Sequence, residues 1–332
     1  MSSNLNKLLA EYEIKRNKAI SDAEDRKENI FSQNPRLQEI EIELSKYSIE
    51  KAKKLLSSNS HDNIKSIDSA INKLKDEKKS ILSTLNIDNS YFNPKFECSI
   101  CSDTGYITEN FQTTMCSCLK QKLFDVEFNT FNVYNMQTQT FDSFKSTYYS
   151  NTVDKERYNS NISPRENIKL ILNICKNFIN NFENPEEKNL LFTGNSGLGK
   201  TFLSNCIANE LLKKEKTVLY QTAPVMLDSI INYRLGKSNS DINIYDHLLD
   251  VDLLIIDDLG TENMNNMKFA ELFTIINSRL LPQKGKNTKT IISTNLDLKN
   301  LANLYGERII SRFAGHYNIC YFFGEDIRFI KK

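Results

Sequence analysis

Residues 194–201 constrain this chain more than any other segment. They read Gly194, Asn195, Ser196, Gly197, Leu198, Gly199, Lys200 and Thr201, which fits the phosphate-binding pattern G-x-x-x-x-G-K-[ST]. The glycines let backbone N–H groups curl around phosphate oxygens, while the lysine reaches the outer phosphates and the threonine hydroxyl ligates Mg²⁺. The loop therefore predicts binding of a nucleoside triphosphate, ATP, together with Mg²⁺.

The flanks of this loop have the pattern that such a site needs. Residues 189–193 form a short apolar run typical of a buried strand, and apolar residues recur at helical spacing after Thr201. A strand, a glycine loop and a helix in this order place the positive end of a helix dipole against the phosphates. The alternative is a glycine-rich turn that is followed by Lys-Thr by chance, and such a turn would not need a strand before it and a helix after it.

Composition limits the other possibilities. Lys and Arg number 43 against 42 Asp and Glu in 332 residues, so net charge argues for neither nucleic acid nor membrane as a partner, although a local basic groove is compatible with it. Because no apolar run reaches about 18 residues and no apolar signal region opens the sequence, we expect a cytoplasmic protein without a membrane span. The seven cysteines are then expected to be thiols or metal ligands.

Four segments differ in their patterns. Residues 1–93 carry apolar residues at three- and four-residue steps, interrupted at Pro35 and at 57–60, which predicts helical hairpins that pack together or dock a partner protein. Residues 94–125 hold four cysteines, and 126–162 have the composition of a linker. In 163–332, β-rich runs alternate with helical patterns, which predicts an α/β domain with a parallel sheet.

Cys98, Cys101, Cys116 and Cys118 supply four thiolates as two close pairs. Zn²⁺ binds four such ligands in a tetrahedron, and a site closed by four thiolates is structural. The C-x-C spacing of the second pair is less common than C-x-x-C, and an iron–sulfur cluster or four unrelated thiols are the alternatives. Three further cysteines lie in apolar patterns and are predicted to be core thiols: Cys175, Cys206 and Cys320.

Two further apolar runs end in polar residues. Residues 253–256 lead directly into Asp257 and Asp258, and ligands of parallel sheets lie beyond the carboxyl ends of the strands. Asp257 is therefore predicted to hold the Mg²⁺ water shell and Asp258 to polarise an attacking water, unless the two acids merely cap a turn. Residues 290–293 lead to Asn295, a candidate for positioning the water or contacting the terminal phosphate.

Arginines near the end of the chain are the remaining candidates for chemistry. Arg308 and Arg312 lie four residues apart on one predicted helix face. A guanidinium stabilises charge on a transferring phosphoryl group, and a solvated Glu–Arg face is the alternative. A basic groove with stacking aromatics, as single-stranded DNA requires, has its best local candidate at the end of another predicted helix, and a solvated helix end explains those residues equally well. Its residues are Tyr233, Arg234 and Lys237.

In their order along the chain, these motifs resemble an AAA+ ATPase. Residues 256–260 and 323–328 resemble the bacterial replicative helicase loaders of the DnaC/DnaI type, and residues 98–118 resemble their zinc-bearing amino-terminal form. The similarity covers roughly residues 90–332. The helical stretch before it matches only in general character.

The resemblance implies roles by position. The loop with Lys200 and Thr201 binds ATP and Mg²⁺, the two acids have the metal and water roles, and Asn295 is the first sensor. Arg312 matches the arginine finger that reaches a neighbouring subunit's ATP, with Arg308 as the other candidate. Arg328 matches the second sensor arginine. The cysteines then hold Zn²⁺.

The function implied by the resemblance is ATP-dependent loading of the replicative helicase onto single-stranded DNA when replication begins. Residues 1–93 would bind the helicase hexamer, while the ATPase domain would self-associate and engage DNA. A transposition-helper ATPase of the IstB type shares the core, but the four-cysteine module argues against it. A nucleotide-gated adaptor with little hydrolysis is the third possibility.

Overall fold

We describe the protein from a computed structural model, for residues 3–56, 61–128, 133–237, 244–281 and 286–329. The chain divides into two compact units. One is Leu9–Thr114, and the other is Met115–Lys332 together with the residues up to Leu8. Within the described ranges, no helix has both the length and the apolar character that a membrane span requires. The predicted domain boundaries remain a prediction.

The first unit is built mainly from long helices, as the three- and four-residue spacing predicted. They are α1 (Ser3–Gln33), α2 (Pro35–Leu56) and α3 (His61–Thr84), followed by a 3₁₀ turn (Asn89–Phe92) and the hairpin strands β1 (Tyr106–Glu109) and β2 (Gln112–Met115). Proline fits the first position of a helix because it has no N–H to leave unpaired, so Pro35 ends one helix and begins the next. The other predicted interruption, residues 57–60, lies outside the described residues.

Helices α2 and α3 pack as an antiparallel pair. Arg36 of α2 pairs with Glu77 of α3 at 2.7 Å. Farther along α2, Lys51 pairs with Asp68, which precedes Glu77 on α3. All four side chains are at least one-third exposed, so these pairs set register more than they stabilise. The stabilising contact is apolar, a buried cluster of Phe31, Leu37 and Leu82.

The second unit contains a five-stranded parallel sheet with the strand order β4-β5-β6-β3-β7. Its strands are β3 (Asn189–Gly194), β4 (Val218–Thr222), β5 (Leu253–Leu259), β6 (Lys289–Thr294) and β7 (Tyr317–Phe322). Its helices are α4 (Ser117–Glu127), α5 (Val133–Thr138), α6 (Lys155–Tyr158), α7 (Pro164–Asn180), α8 (Lys200–Lys213), α9 (Ala223–Arg234), α10 (Ile244–Asp250), α11 (Asn266–Leu280) and α12 (Leu298–His316). The predicted α/β fold with a parallel sheet is confirmed.

Helices cover both faces of this sheet, which explains why the central strands are apolar along their length. Every residue of β6 is buried, and Ile255 and Ile256 of β5 are fully buried although they point to opposite faces. A sheet exposed on one face would instead alternate apolar and polar residues. Two separate buried clusters, one containing Ile255 and the other Ile256, form the core on either side.

The outer edge of β4 is capped by a side chain from α4. The amide of Gln121 accepts a hydrogen bond from the Val218 N–H at 2.7 Å and donates one to the Val218 carbonyl at 3.0 Å. These two bonds reproduce what a neighbouring strand would supply to a free sheet edge. Helix α4 is therefore fixed to the sheet by specific polar contacts as well as by packing.

Candidate functional site

The loop at residues 194–201 joins β3 to α8 and has a backbone that side chains would disturb. Gly194, Gly197 and Gly199 have φ values of 138°, 74° and 89°, a range that residues with a Cβ rarely adopt. Helix α8 begins at Lys200 immediately after the last of these glycines. The loop N–H groups and the helix N-terminus thus form a cradle suited to an anion.

Neighbouring segments approach the loop so closely that glycine is also required sterically. A Cβ on Gly194 would lie 2.1 Å from the Phe322 carbonyl oxygen, and one on Gly199 would lie 2.7 Å from the Tyr149 hydroxyl. That hydroxyl donates to the Leu198 carbonyl at 2.8 Å. Tyr149 is buried, and it braces the loop from the segment that the sequence indicated only as a linker.

Lys200 lies inside the loop and is 5% exposed. Its ammonium group donates to the carbonyls of Gly194 and Asn195 at 2.6 and 2.8 Å and to Asn295 Oδ1 at 2.8 Å. Burial lowers the pKa of Lys200 to about 8, while nearby Asp258 opposes that shift. The two sequence candidates Lys200 and Asn295, which are far apart along the chain, are thus in direct contact.

Asp257 is 4% exposed and accepts hydrogen bonds from three hydroxyl groups. Thr201 donates to Oδ2 at 3.0 Å, and Tyr220 donates to the same oxygen at 2.5 Å. Ser293, on the neighbouring strand β6, donates to Oδ1. Thr201, the predicted Mg²⁺ ligand, and Asp257, predicted to hold the Mg²⁺ water shell, therefore lie within hydrogen-bonding distance of each other.

Asp258 differs from its neighbour in both backbone and environment. Its φ is 55°, and the pairing of β5 with β6 is irregular between Ile256 and Leu259. Such irregularities redirect side chains and are common beside active sites. Burial raises the pKa of Asp258, with the charge of Asp257 adding to the effect and Lys200 opposing it. The carboxylates of Asp257 and Asp258 therefore lie in different environments, which suits different roles.

This arrangement fits a nucleoside triphosphate with Mg²⁺. The glycine cradle, the helix N-terminus and the buried ammonium of Lys200 all favour phosphate oxygens. Thr201 and Asp257 place a hydroxyl and a carboxylate side by side, and oxygen ligands of this kind are preferred by Mg²⁺. The fit rests on these residues' own geometry at the carboxyl ends of β3 and β5.

Arg308 and Arg312 lie on α12, away from the hydrogen bonds just described. The helix is interrupted at Gly306, whose φ of 71° and ψ of 168° are not helical. After this break, Arg308 is exposed, and Arg312 Nε donates to Asn277 Oδ1 of α11 at 3.1 Å. Among the described residues, neither arginine has a hydrogen bond to the phosphate-binding loop or to the acidic pair.

A buried carboxylate ties the acidic strand to the first half of α12. Glu262, which is 7% exposed, accepts from the Gly260 N–H at 2.9 Å through Oε2. Its other oxygen accepts from the hydroxyl of Tyr305, the last residue before the break at Gly306. The sequence interpretation missed this contact because Glu262 and Tyr305 belong to no periodic pattern that pairs them.

Arg328 lies on the segment that follows β7, and this segment crosses the phosphate-binding loop. The Ile327 N–H donates to the Gly197 carbonyl at 3.0 Å. Arg328 itself forms an ion pair with Asp326, with Nη2 and Oδ2 2.5 Å apart. Its charge contributes to lowering the pKa of Lys200, so the predicted second sensor arginine lies close to the loop.

The four paired cysteines come together. Their sulfur atoms all lie within 4.8 Å of one another, and none of the four is in a disulfide. A zinc tetrahedron with bonds of about 2.3 Å has its sulfurs about 3.8 Å apart. The Asp103 carboxylate accepts from the N–H groups of Glu97 and Cys98 at 2.9 and 2.8 Å, which shapes the turn after the first pair. The cluster can hold one metal ion.

The DNA-binding candidate on α9 is partly engaged by its own neighbours. Arg234 is exposed, pairs with Glu271 at 3.0 Å, and lies 5.2 Å from the centre of the Tyr245 ring. Tyr233 packs against the apolar core, and Lys237 is exposed. Tyr233 is thus partly engaged by the core, and the DNA-binding role of these residues stays a prediction. The predicted core thiols Cys175, Cys206 and Cys320 are all buried.

Comparison with known proteins finds a similar family for the part of the chain that carries the site. Residues 157–314 match the family model described as IstB-like ATP binding protein. Over these residues the chain is similar to that family. The match begins before β3 and ends within α12, so it includes the glycine loop, the acidic pair and Asn295.

Curated relatives are also similar to this chain. A protein named replicative helicase loader DnaC from Buchnera aphidicola subsp. Schizaphis graminum is 29% identical over 143 residues, 43% of this chain and 56% of the relative. The protein of that name from Escherichia coli K12 is 30% identical over 122 residues, 37% of this chain and 48% of the relative. The chain thus spans about half the length of the curated relatives it matches. The resemblance to the DnaC/DnaI type is confirmed.

Two solved structures are also similar to this chain. The crystal structure of DnaI is 23% identical with a TM-score of 0.45, covering 60% of this chain and 95% of that chain. The crystal structure of the DnaC helicase loader is 25% identical with a TM-score of 0.40, covering 54% of this chain and all of that chain (100%).

Proposed function

We propose that this protein is a cytoplasmic AAA+ ATPase that loads the replicative helicase onto single-stranded DNA. The observation that carries the proposal is the convergence of Lys200, Asp257 and Asn295 in a domain whose curated relatives are named replicative helicase loader DnaC. Residues 1–93 would bind the helicase hexamer. Residues 163–332 would bind ATP, self-associate and contact the DNA.

In this proposal each polar residue of the site has a distinct task. Lys200 binds the outer phosphates, and Asn295 holds that ammonium group in place. Thr201 and Asp257 would hold Mg²⁺, which would neutralise charge on the phosphates. Asp258 accepts a proton from, or orients, the attacking water, a role for which a raised pKa is an advantage.

A capture experiment with the full chain tests the loader assignment. The tagged chain, incubated with the replicative helicase of the same organism, should retain the helicase with ATP and should place it on circular single-stranded DNA. Capture of a transposase instead would favour the IstB-type helper that the family description names. Helicase capture without any multiple-turnover hydrolysis would favour the nucleotide-gated adaptor.

The arginine finger can be tested by mixing two defective variants. We expect Arg312→Ala to bind ATP normally and to hydrolyse it about 10- to 100-fold more slowly, since a charge-assisted hydrogen bond is worth about 1.5–3 kcal/mol. Mixing it with Lys200→Met should restore part of the activity. In such a mixture, the intact loop of one subunit can meet the intact finger of another.

Arg308→Ala is the matched control because Arg308 lies four residues earlier on α12 and is exposed. If Arg308→Ala is defective and complements Lys200→Met while Arg312→Ala does neither, the finger is Arg308. A mixture of Arg312→Ala and Lys200→Met that co-assembles but stays inactive would mean that Arg312 serves only to hold Asn277 of α11.

A further inference from the structure

The segment after β7 brings a carboxylate onto the phosphate-binding loop. A Cβ added to Gly197 would lie 1.9 Å from Asp326 Oδ1 and 2.3 Å from Oδ2, so the Asp326 carboxylate fills the space above that glycine. The neighbouring Ile327 N–H is bonded to the Gly197 carbonyl at 3.0 Å. An acid at this position is unexpected, because the loop around it is otherwise built to attract negative charge.

The same carboxylate is the partner of Arg328. Arg328 Nε lies 2.9 Å from Oδ1 and 3.1 Å from Oδ2 of Asp326, and Nη2 lies 2.5 Å from Oδ2. Two of the three guanidinium nitrogens are therefore engaged by one acid. The Arg328 side chain is nevertheless 65% exposed, whereas that of Asp326 is 20% exposed. The acid is held against the loop, and the arginine is free to change partners.

We propose that Asp326 is an internal competitor that binds Arg328 and sets how strongly the site prefers ATP to ADP. This inference rests on the proposed function, since it concerns regulation of the same nucleotide site. A γ-phosphate and the Asp326 carboxylate are both anions that a guanidinium binds in a two-pronged manner. Arg328 can satisfy only one of them fully with the same nitrogens.

The competition has a predictable direction. Arg328 must break its two-nitrogen pair with Asp326 before it can bind the terminal phosphate, and the cost of breaking that pair weakens ATP binding. ADP has no γ-phosphate with which Arg328 can exchange its partner, so its affinity depends less on this pair. The exchange would also alter the tail at residues 326–329, which is anchored to the loop through Gly197. The pair thereby makes the tail responsive to the nucleotide state.

The test is a comparison of nucleotide affinities in the full chain. Asp326→Asn keeps the size of the side chain and removes its charge. We expect this variant to bind a non-hydrolysable ATP analogue with Mg²⁺ about fivefold more tightly, because Arg328 no longer has to leave a charged partner. Its affinity for ADP should change by less than about twofold on the same scale.

Two further variants show whether the effect passes through Arg328. Glu325→Gln removes an adjacent charge that pairs with Arg157 at 3.0 Å, and it should leave both affinities within about twofold of wild type. In an Arg328→Ala background, Asp326→Asn should no longer increase affinity for the ATP analogue, because coupled residues give non-additive effects. Thermal unfolding of each variant establishes that the fold is intact.

The outcomes separate this inference from the proposed function. A wild-type chain that binds neither the ATP analogue nor ADP contradicts the proposed function itself. If wild type binds both but Asp326→Asn has unchanged affinities, or tightens both nucleotides equally, the competition model is wrong. It is equally wrong if the gain persists without Arg328, since the acid then acts only by general repulsion.

Discussion

Replacing Cys98 by serine is expected to remove one zinc ion per chain and to unfold the segment from Cys98 to Cys118. The four sulfurs lie within 4.8 Å of one another, so a metal bound to all of them ties two distant turns together. Structural zinc contributes on the order of 10 kcal/mol to the folding of small domains. Metal analysis of the purified chain and thermal unfolding with and without a chelator measure both effects.

Cys175→Ala is the matched control for this experiment. Cys175 is also a buried thiol, but it lies on α7 and outside the cluster, so its loss should leave the zinc content unchanged. Iron and visible absorbance in the wild-type chain would indicate an iron–sulfur cluster instead. A Cys98→Ser chain with its zinc content and stability intact would show that these four thiols do not form one metal site.

Local motifs explain why much of the nucleotide site could be predicted. The glycine loop and the acids at the end of β5 each lie in one continuous segment, so their chemistry can be inferred from residues adjacent in the sequence. Parallel-strand geometry then placed Asp257 and Asn295 at the same sheet edge, because ligands of such sheets lie beyond the carboxyl ends of the strands. The contact between Lys200 and Asn295 at 2.8 Å follows from that rule.

Contacts made by isolated polar residues could not be predicted in this way. Tyr220 and Ser293 both donate to Asp257, and Tyr149 braces the loop from a segment with no regular pattern. Tyr220 and Ser293 are hydroxyl residues in otherwise apolar strands, and this pattern indicates a polar contact at the sheet without naming its partner. For Tyr149 the sequence offers no comparable signal, since its position depends on how an irregular segment crosses the loop.

The roles of Arg308 and Arg312 also could not be predicted from the sequence. Spacing correctly placed Arg308 and Arg312 on one helical segment, but it could not predict the break at Gly306 or the buried contact of Glu262 with Tyr305 just before it. It also could not assign either arginine to an ATP site. A finger acts across an interface between two subunits, and a single sequence contains no direct record of that geometry.

Removing the charge of Lys200 is expected to abolish productive ATP binding. Lys200→Met keeps most of the side-chain volume and loses the buried ammonium group that two loop carbonyls and Asn295 Oδ1 hold. Loss of one preorganised donor to a reacting group lowers turnover by about 10²–10³, and weaker binding adds to this. Titration with a fluorescent ATP analogue and steady-state phosphate release measure the two effects separately.

Lys213→Met provides the matched control from the same helix. Lys213 lies in the last turn of α8, where it is exposed and pairs with Glu210 at 2.7 Å. Its replacement should leave nucleotide binding and hydrolysis at the wild-type level. Undiminished ATP binding by Lys200→Met, in a chain that unfolds at the wild-type temperature, would contradict the assignment of residues 194–201 as the phosphate-binding loop.

Asp258→Asn is expected to separate binding from turnover at the same site. Asparagine tolerates the left-handed backbone that Asp258 adopts at φ 55°, so the substitution removes the charge without straining the strand end. ATP binding should be retained, because Lys200, Thr201 and Asp257 are untouched. Hydrolysis should fall by about 10²–10⁴-fold, the usual contribution of a general base.

Two outcomes would contradict this assignment of Asp258. Hydrolysis at the wild-type rate would mean that Asp258 only shapes the turn after β5. A loss of ATP binding equal to that of Lys200→Met would place Asp258 among the nucleotide ligands instead.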